Sequence, residues 1–287
     1  MNKTNYRTLI SVSQLQDLTL GGQPPLLIDV SFDLTDTEAG QAAYALAHLP
    51  GAHYLHLDRE LSGSKVNEQG QFRGRHPLPE RVDFARRLAE LGLHPGQQVV
   101  AYDGQGGMYA ARLWWMLRWL GHDQVAVLDG GLQAWLAAGL PMSMATPTAL
   151  PTDFTARECL SPSLNADQLQ MRLGQVRLID ARAPERFRGE VEPLDKQAGH
   201  IPGASNRLFK NNLQANGCFK SADELRVEFT SLLAPLAPSD IVHQCGSGVT
   251  ACHNLLAMEY AGLTGSMLYP GSWSEWSADP RRPIAKG

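Results

Sequence analysis

Short apolar runs alternate with longer amphipathic stretches along the chain. Three runs, Pro25–Ile28, Gln98–Tyr102 and Val125–Leu128, have the length and composition of buried strands. The stretches Val82–Leu91 and Met108–Leu120 place apolar residues three and four positions apart, as amphipathic helices do, and a glycine follows each of them. Because strands alternate with helices, the pattern predicts an α/β fold with a mainly parallel sheet flanked by helices.

The pattern occurs twice. Four stretches of the first half recur in the same order, roughly 140–150 residues later. The pairs are LIDV (27–30) with LIDA (178–181), HLPGA (48–52) with HIPGA (200–204), VVAYDG (99–104) with IVHQCG (241–246), and DGGLQAW (129–135) with PGSWSEW (270–276). This period is too long for a solenoid and predicts tandem domains at 1–141 and 158–287. They are joined by a linker at 142–157 that is rich in Pro, Thr, Ser and Ala.

Composition and charge limit the kinds of molecule that we expect the protein to bind. The 25 basic and 29 acidic residues give a net charge of −4, and no Lys/Arg block suggests nucleic acid. The chain has no apolar stretch of about 18 residues and no secretory signal in its first thirty, so we expect a cytoplasmic protein that does not bind membranes. Its four cysteines are irregularly spaced without a CxxC pair, which favours reduced thiols and no zinc site.

One cysteine lies where a strand should end and a helix should begin. Cys245 is followed by Gly246, Ser247 and Gly248, whose small side chains would let their backbone N–H groups point toward one anion. A buried, inert thiol is the alternative. A tyrosine-phosphatase loop would carry arginine where this chain has Ala251, so the loop favours a smaller anion, such as a persulfide sulfur on the cysteine.

The duplicated HxPGA stretch, the first-half loop without a cysteine and the CGSGVTA loop together resemble the two-domain rhodanese-like sulfurtransferases, most closely the 3-mercaptopyruvate branch. The resemblance implies two tandem rhodanese-like domains, with the catalytic one second. It further implies that Cys245 takes sulfur from a small-molecule donor as a persulfide, releasing pyruvate, and passes it to cyanide or a thiol such as thioredoxin. No cofactor or metal is implied. The amides expected to hold the persulfide belong to Gly246, Gly248, Val249 and Thr250.

The same resemblance implies a proton relay. Ser247 matches the serine of the family's loop, His76 matches the histidine of its His-x-Leu-Pro stretch, and Asp58 falls where the family places an aspartate. Such a relay would move the proton of the substrate thiol. The alternative is structural: His76 would cap a turn before Pro77, and Asp58 would be a solvated carboxylate.

Candidate cations for the donor follow Asp180. Arg186 resembles the family's carboxylate-binding arginine, whereas Arg182 is expected to pair with Asp180. Where related chains carry a second arginine this chain has Leu194, and Lys196 is the nearby replacement.

Two other functions stay open. The thiosulfate-using branch carries basic residues directly after its cysteine, so the uncharged Gly246 and Ser247 favour 3-mercaptopyruvate. The missing arginine at Leu194 favours a thiosulfate:cyanide sulfurtransferase. A module that carries persulfide sulfur to another protein is the third possibility.

Overall fold

The computed structural model describes residues 5–22 and 24–287, so residues 1–4 of the predicted first domain lie outside the description. The chain forms two compact units, and each includes a segment from the other half of the sequence. The first unit consists of the chain up to Leu61, Pro79–Leu160 and Leu213–Phe219. The second consists of Ser62–Leu78, Ser161–Asn212 and Lys220–Gly287.

The first unit contains a parallel five-stranded sheet with strand order β1-β5-β4-β2-β3. Its strands are β1 (Leu9–Ile10), β2 (Leu26–Asp29), β3 (His53–Tyr54), β4 (Val99–Tyr102) and β5 (Val125–Leu128). Its helices are α1 (Val12–Leu20), α2 (Ala39–Leu46), α3 (Arg81–Glu90), α4 (Ala110–Trp119) and α5 (Gly131–Ala137). Every residue of β2, β4 and β5 is buried, as expected for strands covered by helices on both faces.

The second unit repeats this arrangement with a parallel sheet of order β7-β6-β8-β9. Its strands are β6 (Arg177–Asp180), β7 (Ala204–Asn206), β8 (Ile241–Gln244) and β9 (Met267–Leu268). Its helices are α6 (Ala166–Met171), α7 (Pro184–Phe187), α8 (Ala222–Leu233), α9 (Thr250–Tyr260) and α10 (Ser272–Trp276), with 3₁₀ turns at Phe209–Asn212 and Pro238–Asp240. A single bridge between Ser163 and Leu268 lies beside β9, as β1 lies beside β5.

The duplicated HxPGA stretch has a structural role in both units. His48 stacks on Tyr44 of α2 and His200 stacks on Phe187 of α7, each with ring centroids 3.9 Å apart. In both cases Nδ1 donates to the carbonyl of that aromatic residue, at 2.7 and 2.8 Å. The repeated histidines thus join a helix to the turn before the next strand, a structural role that accounts for the recurrence of the motif.

The predicted α/β architecture is confirmed, with small shifts at the helix ends. The helix predicted from Met108 begins at Ala110, and the one predicted from Val82 begins at Arg81. Trp114 and Trp115 are fully buried in α4, so these aromatic residues form core rather than a binding surface. Within the described residues, no helix is long and apolar enough to cross a membrane.

Candidate active site

Cys245 lies in the turn between the last residue of β8 and the first turn of α9. Its residue exposure is 2%, and β8 behind it is completely buried. Burial lowers the pKa of His243, in the middle of β8, to about 3, so this histidine is neutral. The loop therefore follows a completely buried strand and leads into the amino end of an 11-residue helix.

Helix α10 holds this turn in place. The N–H of Cys245 donates to Ser272 Oγ at 3.1 Å, and the carbonyl of Cys245 accepts from the N–H of Trp273 at 3.0 Å. The carbonyl of Gly246 accepts from the N–H of Ser274 at 2.9 Å. Through these three bonds the residues of α10, which belong to the PGSWSEW stretch, fix the backbone on which the cysteine sits.

The loop presents backbone donors near Cys245. Among the described residues, the buried N–H groups of Gly246 and Ser247 have no protein acceptor. Gly248 has φ of +74°, and a Cβ there would come within 2.3 Å of the carbonyl oxygen of Pro270. Only glycine fits that tight turn. The loop can therefore accept an anion whose oxygen or sulfur atoms satisfy buried N–H groups.

In the first unit, the corresponding loop binds the carboxylate of one of its own residues. Asp103 stands at the end of β4, where Cys245 stands at the end of β8. Its two carboxylate oxygens accept four backbone N–H bonds at 2.8–2.9 Å, from Gln105, Gly107, Tyr109 and Ala110. The duplicated loop thus binds negative charge carried by the strand-end side chain.

Ser247 and His76 meet in the second unit. Ser247 Oγ lies 2.8 Å from His76 Nδ1, and both side chains are buried. His76 belongs to the segment 62–78, which the second unit takes from the first half of the chain. Asp58 is half-buried in the first unit, where its N–H donates to His56 Nδ1 at 3.1 Å, and its part in the relay remains a prediction.

The predicted cations have distinct surroundings. Arg182 forms a buried ion pair with Asp180 at 2.7 Å, as its position suggested. Arg186 lies near the loop, because its Nη1 is 3.6 Å from the point where a Cβ of Gly246 would stand. Lys196 is exposed, and its role in binding the donor remains a prediction.

Arg75 and Asp195 are additional charged residues beside the loop. They form an ion pair, and Arg75 Nη2 approaches the Cβ position of Gly246 to 2.7 Å. Neither residue was predicted to belong to the site, although their sequence neighbours His76 and Lys196 were. The sequence signal that could have indicated Arg75 was its position directly before His76.

Comparison with known proteins shows to which domain family the two halves of the chain belong. The family model described as a rhodanese-like domain matches residues 11–138 and again residues 165–279. The chain belongs to the rhodanese-like sulfurtransferases. This rhodanese-family enzyme is 47% identical over 269 residues to the "Probable 3-mercaptopyruvate sulfurtransferase" of Pseudomonas aeruginosa, covering 92% of this chain and 94% of the relative.

A second relative of the rhodanese carries a different name. The "Thiosulfate sulfurtransferase" of Cricetulus griseus is 34% identical, with 98% of this chain and 96% of the relative covered. Among solved structures, the 3-mercaptopyruvate sulfurtransferase from Leishmania major is similar with a TM-score of 0.83 and 32% identity, covering 97% of this chain and 76% of that one. The family contains both names, so the donor has to be argued from the site.

Proposed function

We propose that the protein transfers sulfur from 3-mercaptopyruvate, through a persulfide on Cys245, to a thiol or cyanide, and releases pyruvate. The observation that carries this proposal is the amide-lined turn at Cys245. Its counterpart in the first unit binds the carboxylate of Asp103 through four backbone N–H groups. A persulfide anion on Cys245 would find similar donors, and in our proposal the amides of Gly246, Gly248, Val249 and Thr250 hold it.

The reaction requires one sulfur transfer and one proton transfer. The thiolate of Cys245 attacks the sulfur of the donor, forming the S–S bond while the donor's C–S bond breaks. The electron pair of that C–S bond passes to carbon and gives the enolate of pyruvate, which takes up a proton. Ser247 and His76, 2.8 Å apart, are the groups we propose to carry the proton from the donor thiol to the enolate.

The remaining site residues orient the donor. In the proposal Asp58 orients His76, Arg186 binds the carboxylate of the donor, and Lys196 adds a cation at the exposed edge. A neighbouring guanidinium and a neutral loop suit a donor with a single carboxylate.

A thiosulfate:cyanide sulfurtransferase is the second candidate. The observation that favours it is the pair of guanidinium groups around Gly246, whose Cβ position lies 2.7 Å from Arg75 and 3.6 Å from Arg186. Although Gly246 is uncharged, two guanidinium groups lie beside it, and thiosulfate carries two negative charges. The Cricetulus griseus relative is named for this donor.

A parallel assay separates the two candidates. We would measure kcat/KM for 3-mercaptopyruvate and for thiosulfate with cyanide as the common acceptor, using the Cys245→Ala protein as the blank. We expect a large preference for 3-mercaptopyruvate and a gain of one sulfur atom on Cys245 by intact-protein mass spectrometry. A preference for thiosulfate would select the second candidate. Absence of Cys245-dependent turnover with both donors would overturn the proposal and favour a persulfide carrier.

The acceptor and the compartment belong to the same proposal. None of the four cysteines forms a disulfide, which suits the reducing cytoplasm. We propose thioredoxin or a small thiol as the cellular acceptor, with cyanide as an alternative. Mass spectrometry of the persulfide protein before and after adding each acceptor tests this directly, because an effective acceptor removes the extra sulfur mass.

A further inference from the structure

A cavity of about 310 Å³ in the second unit is lined by residues that the proposed function does not use. Its walls come from the segment 67–73, from Asp167 in the first turn of α6, and from the segment 275–282. All of these belong to the second unit. The volume lies at the lower end of the range for small-molecule sites and is sufficient for a molecule the size of an amino acid.

Arg73 brings to this cavity a guanidinium that the protein itself does not use. Its N–H donates to the carbonyl of Lys65 at 2.8 Å, within the hairpin that pairs Val66 with Phe72. In the part of the chain that the structure describes, the guanidinium has no hydrogen-bond or ion-pair partner. A carboxylate is the group that matches a guanidinium best, because it can accept two parallel N–H···O bonds.

Arg282 brings a second guanidinium, and its donors are poorly used. Its side chain is 10% exposed and packs over the buried ring of Trp276. Nη1 and Nη2 reach the carbonyl of Glu275 and the carboxylate of Asp167 only at 3.4 Å, and Nε is buried without a hydrogen-bond partner among the described residues. A buried guanidinium with long or absent hydrogen bonds favours an additional acceptor.

Glu275 brings the opposite charge to the same cavity. Its Oε2 accepts from the hydroxyl of Tyr269 at 2.8 Å, whereas its Oε1 accepts no hydrogen bond from any described residue. Gly271 leaves the space for this carboxylate, because a Cβ there would collide with Oε2. Burial raises the pKa of Glu275, so an ammonium group bound to Oε1 would stabilise the charged carboxylate.

The charges of the cavity suit a ligand that carries both signs. Arg281 and Asp279 neutralise each other through bonds of 2.8 and 2.9 Å. Arg73, Arg282 and Glu275 then remain as groups with unused hydrogen-bonding capacity. A simple anion would be repelled by Glu275, and a simple cation would be repelled by the two guanidinium groups. A zwitterion avoids both penalties when its carboxylate faces the arginines and its ammonium group faces Glu275.

Phe72 adds an apolar surface to the cavity. It is 40% exposed, and an exposed aromatic ring can pack against an apolar side chain. We propose that this cavity binds a zwitterionic α-amino acid with an apolar side chain. Arg73 and Arg282 bind its carboxylate, Glu275 binds its ammonium group, and Phe72 packs against its side chain. The inference goes beyond the proposed function and does not depend on the identity of the sulfur donor.

Three probes of nearly equal shape test the need for both charges. L-Phenylalanine carries both, 3-phenylpropanoate lacks the ammonium group, and 2-phenylethylamine lacks the carboxylate. Binding to the whole chain is measured by NMR from the line widths of the aromatic protons of each probe. We expect saturable binding of L-phenylalanine and affinities about tenfold lower, or less, for the other two probes. No sulfur donor is present, so the outcome is independent of the proposed function.

Two variants test whether the amino acid binds in this cavity. Arg73→Gln and Glu275→Gln should each weaken the binding of L-phenylalanine about tenfold. Glu275→Gln should also bring the affinity for 3-phenylpropanoate closer to that for L-phenylalanine, because the repelling carboxylate is gone. The matched controls are Arg86→Gln and Glu90→Gln, since both residues are exposed and ion-paired on α3, and these variants should bind as the parent does.

Arg73→Gln breaks no hydrogen bond or ion pair among the described residues, so it keeps the test decisive if Glu275→Gln fails to fold. Equal affinities of the parent for L-phenylalanine and 3-phenylpropanoate would make the cavity a simple anion site and overturn the proposal. Equal affinities for L-phenylalanine in the parent and in Arg73→Gln would place the binding elsewhere and do the same. So would the absence of saturable binding to the parent.

Discussion

Ser247 Oγ lies 2.8 Å from His76 Nδ1, although 171 residues separate the two in sequence. Both side chains are buried, so bulk water does not compete for the hydroxyl proton. The serine stands two residues after the candidate nucleophile. This contact is the strongest geometric support for proton transfer at the cysteine loop.

Loss of the Ser247 hydroxyl should reduce activity with 3-mercaptopyruvate much more than activity with thiosulfate. We expect Ser247→Ala to lower kcat/KM for 3-mercaptopyruvate by a factor of about 10²–10⁴. The kcat/KM for thiosulfate should fall much less, because thiosulfate carries no thiol proton that has to be transferred. His76→Gln should behave alike, and the double variant should be no slower than the worse single one. Equal losses with both donors would remove the relay from the mechanism.

Gly248→Ala should inactivate the protein through the shape of the loop. The new methyl group would meet the carbonyl of Pro270 at 2.3 Å. Gly203→Ala is the control, because Gly203 has a similar φ of +80° but open space around its Cβ position. We expect Gly203→Ala to cost about 1–2 kcal/mol of stability with activity retained. Gly248→Ala should lose both stability and persulfide formation. Similar urea midpoints and activities for the two variants would refute this.

Asp103 should stabilise the first unit. We expect Asp103→Asn to lower the unfolding free energy by about 2–4 kcal/mol, since one amide nitrogen cannot accept the bonds that a carboxylate oxygen now takes. Asp83→Asn, at an exposed carboxylate, is the control and should change it by less than about 0.5 kcal/mol. Urea denaturation measures both. A variant as stable as the parent would mean that the four N–H groups do not need the negative charge.

His243 should make the protein sensitive to acid. Its pKa is lowered to about 3 by burial, from an ordinary value of 6.5. Between these values the unfolded chain binds one more proton than the folded one, so this contribution to stability is complete above pH 6.5 and is lost as the pH falls. The slope reaches about 1.4 kcal/mol per pH unit.

The substitution His243→Leu should remove that slope. Unfolding free energies measured between pH 7 and 4 should fall less steeply in this variant than in the parent, while the exposed His94→Gln leaves the slope unchanged. Parallel curves for the parent and His243→Leu would show that another group controls the acid response.

Features with a local or repeated signature could be predicted from the sequence. Apolar runs indicate the buried strands, and the duplication by itself aligns Asp103 with Cys245. The ion pair of Arg75 with Asp195 could not be predicted, because it joins residues 120 positions apart that follow no period. Lys196 could be predicted because it is close to Leu194 in sequence, whereas the Arg75 guanidinium beside Gly246 comes from a distant segment.

Residues 62–78 come from the first half of the chain but belong to the second unit. If the second copy were complete by itself, a first copy without the cysteine could be deleted without affecting the second. Here the segment that follows β3 carries Arg75 and His76 into the unit that contains Cys245. A chain shortened to its second half would keep Cys245 and lose both Arg75 and His76. Deleting the first copy would therefore also remove part of the second unit.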